Sequence, residues 1–445
     1  RGMRFSNAYV NHPVCSPSRV NMMTGWYPHT RGHRSLTHLV QQHEPNLLKY
    51  LKQGGYQVVW AGGRGDVFAP GVTEASTHFC GWTTKPTQRG MGPQFAEQSA
   101  LYNSFYHGKR PGTDTWLDFD EASTCTAIDW LKAEPKGPWC LWLPLIFPHL
   151  PFEVEDPWYS MYQSVDLPKR VVEDGQGKPL FHAALREKFG THRLSEDEWT
   201  EIRRVYYGMV SRVDHQLGRV MAALESSGEL DNTLVLYLTD HGENLGDFGL
   251  VEKWPSGMDR CLLQNPLIMA GPGVKEGTVA KTFTEMVDIL PTLLEQAEVE
   301  VGHSHFGRSL SPVLSNPQTI IRDQAFSEGG FSRAELGLLE TATGEYANKA
   351  NLQHECPELV GKTIALRDQR FTYIYRLYEG NELYDRVLDP NETINKIDAS
   401  ELQEVATDMQ GRIQDWLVRT ADVIPWQADP RFPKIPHGKH DDFPG

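Results

Sequence analysis

The chain has 445 residues, a formal net charge of −15 and 39% hydrophobic residues, including 12 Trp and 16 Tyr. That length exceeds one ordinary hydrophobic core, and the apolar and aromatic content excludes wholesale disorder. Basic residues scattered among more numerous acids exclude a nucleic-acid partner, and no run of about 18 apolar residues is present to span a membrane.

In chain order, residues 1–5 read as no buried strand. Val14-Cys15-Ser16-Pro17-Ser18-Arg19 then sets a cysteine, a proline and an arginine at CxPxR spacing ahead of a Thr24-Gly25 turn. Residues 47–51 predict a short helix stopped by Gly54-Gly55, followed by an apolar strand over 57–61. Trp139-Cys140-Leu141-Trp142-Leu143 begins another buried strand, with Pro144 leaving its ladder imperfect. Ile202, Val205, Tyr206, Met209, Val213, Leu217, Val220 and Leu224 recur at helical spacing, which predicts a helix over about 201–227 closed by Gly228. The continuous apolar run 233–239 predicts a central strand. It carries Asp240-His241-Gly242 at its carboxyl end, where open α/β sheets place their ligands.

Residues 266–270 predict a further strand and 286–297 a helix. Past about residue 311 the pattern changes to separated β-like runs at 363–366 and 371–375, a helix over about 402–417 and a proline-rich tail from 423 to 445. The expected fold class is therefore α/β: a large, mostly parallel sheet between helices, with a smaller C-terminal α+β subdomain. The expected division is 1–315 for the α/β domain and 316–445 for the subdomain with its small antiparallel sheet, helix and tail. The six cysteines show no CxxC or zinc spacing.

The segment from Val14 to Gly25, continued by Trp26-Tyr27-Pro28-His29-Thr30-Arg31-Gly32-His33, resembles the activation motif of the type I, formylglycine-dependent sulfatases of the alkaline-phosphatase-like superfamily. Asp240-His241-Gly242-Glu243-Asn244-Leu245-Gly246-Asp247-Phe248-Gly249-Leu250 resembles the family's DHGxxLGDxGL element. Glu382-Leu383-Tyr384-Asp385 with Asp389-Pro390-Asn391-Glu392 resembles its C-terminal signature.

The resemblance implies that a formylglycine-generating enzyme oxidises Cys15, giving a hydrated aldehyde with one hydroxyl to attack sulfur and one to expel the product. It implies that Arg19 holds the hydrated form through fixed guanidinium donors. Asp240, His241 and the residue derived from Cys15 become ligands of a divalent metal, calcium first, with manganese or magnesium as alternatives. Lys253 matches the lysine that contacts a sulfate oxygen. His149, in Pro148-His149-Leu150-Pro151, matches the histidine that contacts the ester oxygen and protonates the leaving alcohol, with nearby anions expected to raise its pKa.

Two departures stand out. Ala61-Gly62-Gly63-Arg64-Gly65-Asp66-Val67-Phe68 occupies the place of the family's GKxH segment, so Arg64 replaces the lysine that bridges nucleophile and sulfate. Asp66 replaces the histidine that takes a proton from the diol. The family's AspAsp ligand pair, carried on an N-terminal strand, has no counterpart near Cys15. The chain's AspAsp, Asp441-Asp442, sits in the tail, and the sequence is therefore read as N-terminally truncated. The expected function is a sulfuric ester hydrolase acting on a small-molecule or saccharide sulfate monoester. The alternatives are a phosphonate monoester or phosphodiester hydrolase on the same scaffold, and a catalytically impaired sulfatase-like binding protein.

Overall fold

Met3–Tyr9 is a strand with Met3, Phe5, Ala8 and Tyr9 buried in the computed structural model of the chain, which corrects the reading of the first residues as no buried strand. Arg4 is its one exposed residue, and the strand lies between two others, so both its faces find apolar partners. The structure describes residues 2–63, 65–87, 90–112, 117–172, 177–424 and 431. Arg64, Asp441, Asp442 and nearly all of the proline-rich tail lie outside them.

The α/β class holds, with the strands divided among several sheets. The first has the order Val235–Leu238, Leu267–Ala270, Met3–Tyr9, Thr278–Glu285. Its first two pairings are antiparallel, and Met3–Tyr9 runs parallel to Thr278–Glu285. The second is wholly parallel, with Gln57–Ala61 between Phe79–Gly81 and Trp139–Trp142. Tyr106–Lys109 and Phe152–Val154 form a parallel pair. The C-terminal antiparallel sheet runs Gln324–Gly329, Thr363–Asp368, Phe371–Arg376, Glu382–Asp385. The helix Gln403–Thr420 covers it through Ala406, Met409, Ile413 and Trp416.

Two expected buried strands are instead sheet edges. Trp139–Trp142 ends the three-stranded sheet and Val235–Leu238 ends the four-stranded one, and every residue of both is only partly buried. Cys140, Trp142, Leu236 and Leu238 pack on the main core, while Trp139, Leu141 and Val235 pack on the cluster of Leu131, Ala223 and Leu224. Both edges thus border the same two apolar layers. A continuous apolar run reports that both faces are covered and carries no information on whether the edge is paired.

The long helix spans Glu196–Ser226 and starts five residues before the expected position. Its first turn is polar, so apolar spacing missed it. The signal lies instead in a capping box in which Ser195 accepts from the Glu198 N–H and Glu198 reaches back to the Ser195 N–H. Trp199, Ile202, Val205, Met209 and Val213 form its buried stripe. Among the described residues no helix is long and apolar enough to cross a membrane.

Candidate active site

Cys15 is the first residue of the helix Cys15–Thr24, and the chain reaches it through a loop pinned by four hydrogen bonds, one to Leu263 and three to the strand Gln324–Gly329. Val10 N–H donates to the Leu263 carbonyl (2.9 Å), and Ser327 Oγ donates to the Val10 carbonyl (2.6 Å). Asn11 Nδ2 donates to the Phe326 carbonyl (2.8 Å), and Glu328 N–H donates to the Asn11 carbonyl (2.8 Å). Gly25, at φ 67°, ends the helix in the left-handed region that glycine enters without strain. At its start Val14 offers no capping oxygen and the first turn holds no acid, so the positive end of the helix is left to an anion.

Arg19 lies one turn after Cys15, on the same helical face. Its Nε donates to Asp240 Oδ2 at 2.6 Å, and Ser18 Oγ donates to the Asp240 carbonyl at 2.5 Å. The helix and the end of the strand Val235–Leu238 are thereby stitched together. Asp240 is held well below the usual carboxylate range: burial opposes ionisation, but the charges of Arg19 and Lys253 and the Arg19 hydrogen bond outweigh it. Gly242 lets this turn pack against the next helix, since a Cβ there would stand 1.8 Å from the Cys261 carbonyl oxygen.

His241 donates from Nδ1 to the Gly242 carbonyl (2.8 Å), which leaves the Nε2 lone pair bare. That atom is buried without a hydrogen-bond partner and lies 3.8 Å from Asp240 Oδ1. An orphaned imidazole nitrogen beside a carboxylate oxygen fits a divalent ion. Among the described residues no group of three or more His, Cys, Asp or Glu side chains is placed to hold one, so Asp240 and His241 are a partial donor set.

The His149 ring lies edge-on to that of His241, centroids 6.2 Å apart, and its Nε2 is 3.0 Å from Lys253 Nζ. His149 Nδ1 donates to the Leu150 carbonyl (2.8 Å), so Nε2 accepts from the ammonium. The expectation that nearby anions raise this histidine is reversed. Burial first, then the positive charge of Lys253, push it down to about 3, so the ring is a neutral acceptor.

The loop that carries His149 is fastened from behind. The buried Asp120 carboxylate accepts from the Ile146 and Phe147 N–H groups (2.7 and 2.8 Å). The guanidinium groups of Arg110 and Arg212 sit 4.8 and 5.1 Å from the Phe147 ring centroid. Both arginines are held by Asp118 and Glu155.

Lys253 follows Glu252, whose φ of 66° turns the chain into the left-handed region. Asn244 Nδ2 donates to the Glu252 carbonyl (2.6 Å) and the Glu252 N–H donates to Glu243 Oε1 (2.5 Å), so residues of the Asp240 segment hold that turn. Burial pushes the Cys15 thiol up, Lys253 and Arg19 pull it down, and Asp240 and Asp66 add to the rise. These five residues therefore share one electrostatic neighbourhood. Asp66 is exposed at its border, and the expected partner Arg64 lies outside the described residues. All six cysteines are free thiols. Sequence reasoning missed Ser18, Asp120 and Glu252. Ser18 falls inside the CxPxR segment and was legible there, whereas the other two act only through the folded chain.

The sequence profile of the sulfatase family matches residues 1–299. A sulfatase of Formosa agariphila is 28% identical over 428 residues, covering 89% of this chain and 76% of that protein. The structure of the phosphonate monoester hydrolase of Agrobacterium radiobacter superposes with a TM-score of 0.73 at 22% identity, covering 94% of this chain and 89% of that one. The structure of BT4656 in complex with its substrate D-glucosamine-2-N,6-O-disulfate superposes with a TM-score of 0.69 at 20% identity, covering 94% and 91%.

Proposed function

We propose, because the chain belongs to the sulfatase family, whose members are sulfuric ester hydrolases, that this cleft cleaves a sulfate monoester at sulfur. The observation that carries the reading is the unbroken run of contacts Arg19–Asp240–His241–His149–Lys253 around a cysteine at an uncapped helix N-terminus. Cationic groups and helix N–H dipoles suit charge building on a sulfuryl group, which supports the reading.

The helix N-terminus and Lys253 hold the sulfuryl oxygens. An ammonium has three donors, and with one on the Glu252 carboxylate and one on His149, the third is left for the substrate anion. Arg19 gives its Nε to Asp240 and keeps its terminal nitrogens for the residue at position 15. Lys253 and His149 act as a pair: the neutral ring accepts one Nζ hydrogen at Nε2 and so orients the ammonium, which gives the departing alcohol oxygen its proton. Asp66, exposed at the border, is the base that recovers a proton. Oxidation of Cys15 by a formylglycine-generating enzyme supplies a hydrated aldehyde as nucleophile, which a thiol does not. Asp240 and His241 would hold a divalent ion, calcium first, which would supply Lewis-acid polarisation when bound. A saccharide sulfate is the favoured substrate, in keeping with the ligand of BT4656.

The test is mass spectrometry of the peptide spanning Cys15 after co-expression with the maturating enzyme, followed by turnover of an aryl sulfate. An unmodified thiol, or no sulfate release from modified protein, would overturn the reading. The similarity to the phosphonate monoester hydrolase favours a second reading on the same residues. Faster cleavage of an aryl phosphonate than of the aryl sulfate would make that one primary.

A further inference from the structure

Lys349 lies in the helix Ala347–Glu355, beyond the residues that the family profile matches, and its side chain is 2% exposed. A lysine is rarely buried this far without partners that repay its lost hydration. Its Nζ lies 3.1 Å from Glu252 Oε1 and 3.2 Å from Glu340 Oε1. Glu252 is also the carboxylate that Lys253 Nζ touches, at 3.1 Å from each oxygen, so the two lysines share Oε1. The cluster is therefore an alternating line: Glu340, Lys349, Glu252, Lys253. It holds two cations and two carboxylates, and all but Glu340 are nearly fully buried.

The line ends on His149 Nε2, 3.0 Å from Lys253. Without Lys349, Lys253 would be, among the described residues, the one lysine or arginine paired with Glu252, and its charge would be drawn inward, away from a substrate anion. Glu252 is itself held in a left-handed turn by Asn244 and Glu243, so its carboxylate has little freedom to relax toward solvent. We propose that Lys349 is a positioning residue: it shares the Glu252 carboxylate and offsets its charge, so that the Lys253 ammonium keeps its third donor and its net positive field for the sulfuryl group. The inference rests on the reading of Lys253 as a contact to that group.

The cluster gives signed expectations that packing alone does not. Lys349→Met leaves one excess negative charge behind Lys253, Glu340→Gln leaves one excess positive charge, and the double variant restores the balance. The probe is inorganic sulfate, its affinity measured by calorimetry, with KM and kcat for 4-nitrophenyl sulfate measured alongside. Lys349→Met is expected to weaken sulfate binding and raise KM by about tenfold, with a smaller fall in kcat, as for one uncompensated charge near the site. Glu340→Gln is expected to tighten sulfate binding, and the double variant to return close to the parent value. Lys349→Arg is expected to retain parent behaviour.

Glu355→Gln, which breaks the exposed pair with Lys188 at the end of the same helix, is the control expected to change nothing. A double variant no better than Lys349→Met, or a Glu340→Gln variant that weakens binding, would show that Lys349 serves packing alone. Should Lys349→Met fail to fold, the sign of the Glu340→Gln effect decides by itself. A parent protein that neither binds sulfate nor turns over the ester would instead bring down the reading of Lys253.

Discussion

Asp120→Asn is expected to gain stability relative to the parent as pH rises towards neutrality while lowering activity, because the native carboxylate is buried to hold the loop that carries His149. Asp120 is 2% exposed, and its pKa rises from 3.8 to about 6, chiefly by burial and then by the charge of Asp118, against the opposing N–H groups of Phe147 and Ile146. A carboxyl raised in this way binds more protons folded than unfolded between 3.8 and about 6, so the parent loses stability as pH climbs through that window. The full shift is worth about 3 kcal/mol, of which about 2 kcal/mol falls between about pH 4.5 and about pH 7.5. The neutral amide does not titrate. Urea unfolding of parent and variant at those two pH values should therefore show the variant gaining about 2 kcal/mol relative to the parent on going to the higher pH. The amide offers one acceptor to two N–H groups, so the loop shifts, the 3.0 Å contact of His149 with Lys253 loosens, and kcat falls by about tenfold or more. A stability difference that stays flat across the two pH values, or a variant with full turnover, would refute the reasoning.

Arg19→Lys keeps the charge but loses the guanidinium fork, whose Nε is on Asp240 and whose terminal nitrogens we propose serve residue 15, so kcat/KM should fall by about 100-fold with the circular-dichroism spectrum unchanged; near-parent kinetics would show that the charge alone suffices. His149, held neutral down to about 3, should show no imidazole titration between about pH 5 and about pH 8 in nitrogen-15 spectra. Since its folded pKa lies below the ordinary 6.5, its neutral form contributes stability that is lost as pH falls through the range from 6.5 to about 3. His149→Gln should flatten that acid limb of the melting curve. Calcium at about 100 times its dissociation constant should stabilise the protein by about 2.7 kcal/mol in thermal unfolding, and Asp240→Asn or His241→Ala should abolish the gain; an equal gain in those variants would place the ion elsewhere.

Features that span a few residues were legible in the sequence. The four-residue step from Cys15 to Arg19 sets both on one helical face, and the run 233–239 puts Asp240 and His241 at a strand end, whatever the rest of the chain does. The α/β class and the antiparallel C-terminal sheet follow from the same local periodicities. Three things depended on contacts between distant segments. Met3–Tyr9 becomes a strand because Leu267–Ala270 and Thr278–Glu285 lie on either side of it. His149 becomes a neutral acceptor because the fold buries it against Lys253, 104 residues away. Lys349 reaches Glu252 across 97 residues without any shared motif. Local backbone geometry is written in neighbouring side chains, whereas burial, tautomer and charge balance are properties of the assembled interior, where water is excluded and each charge must answer to whatever the fold has placed beside it.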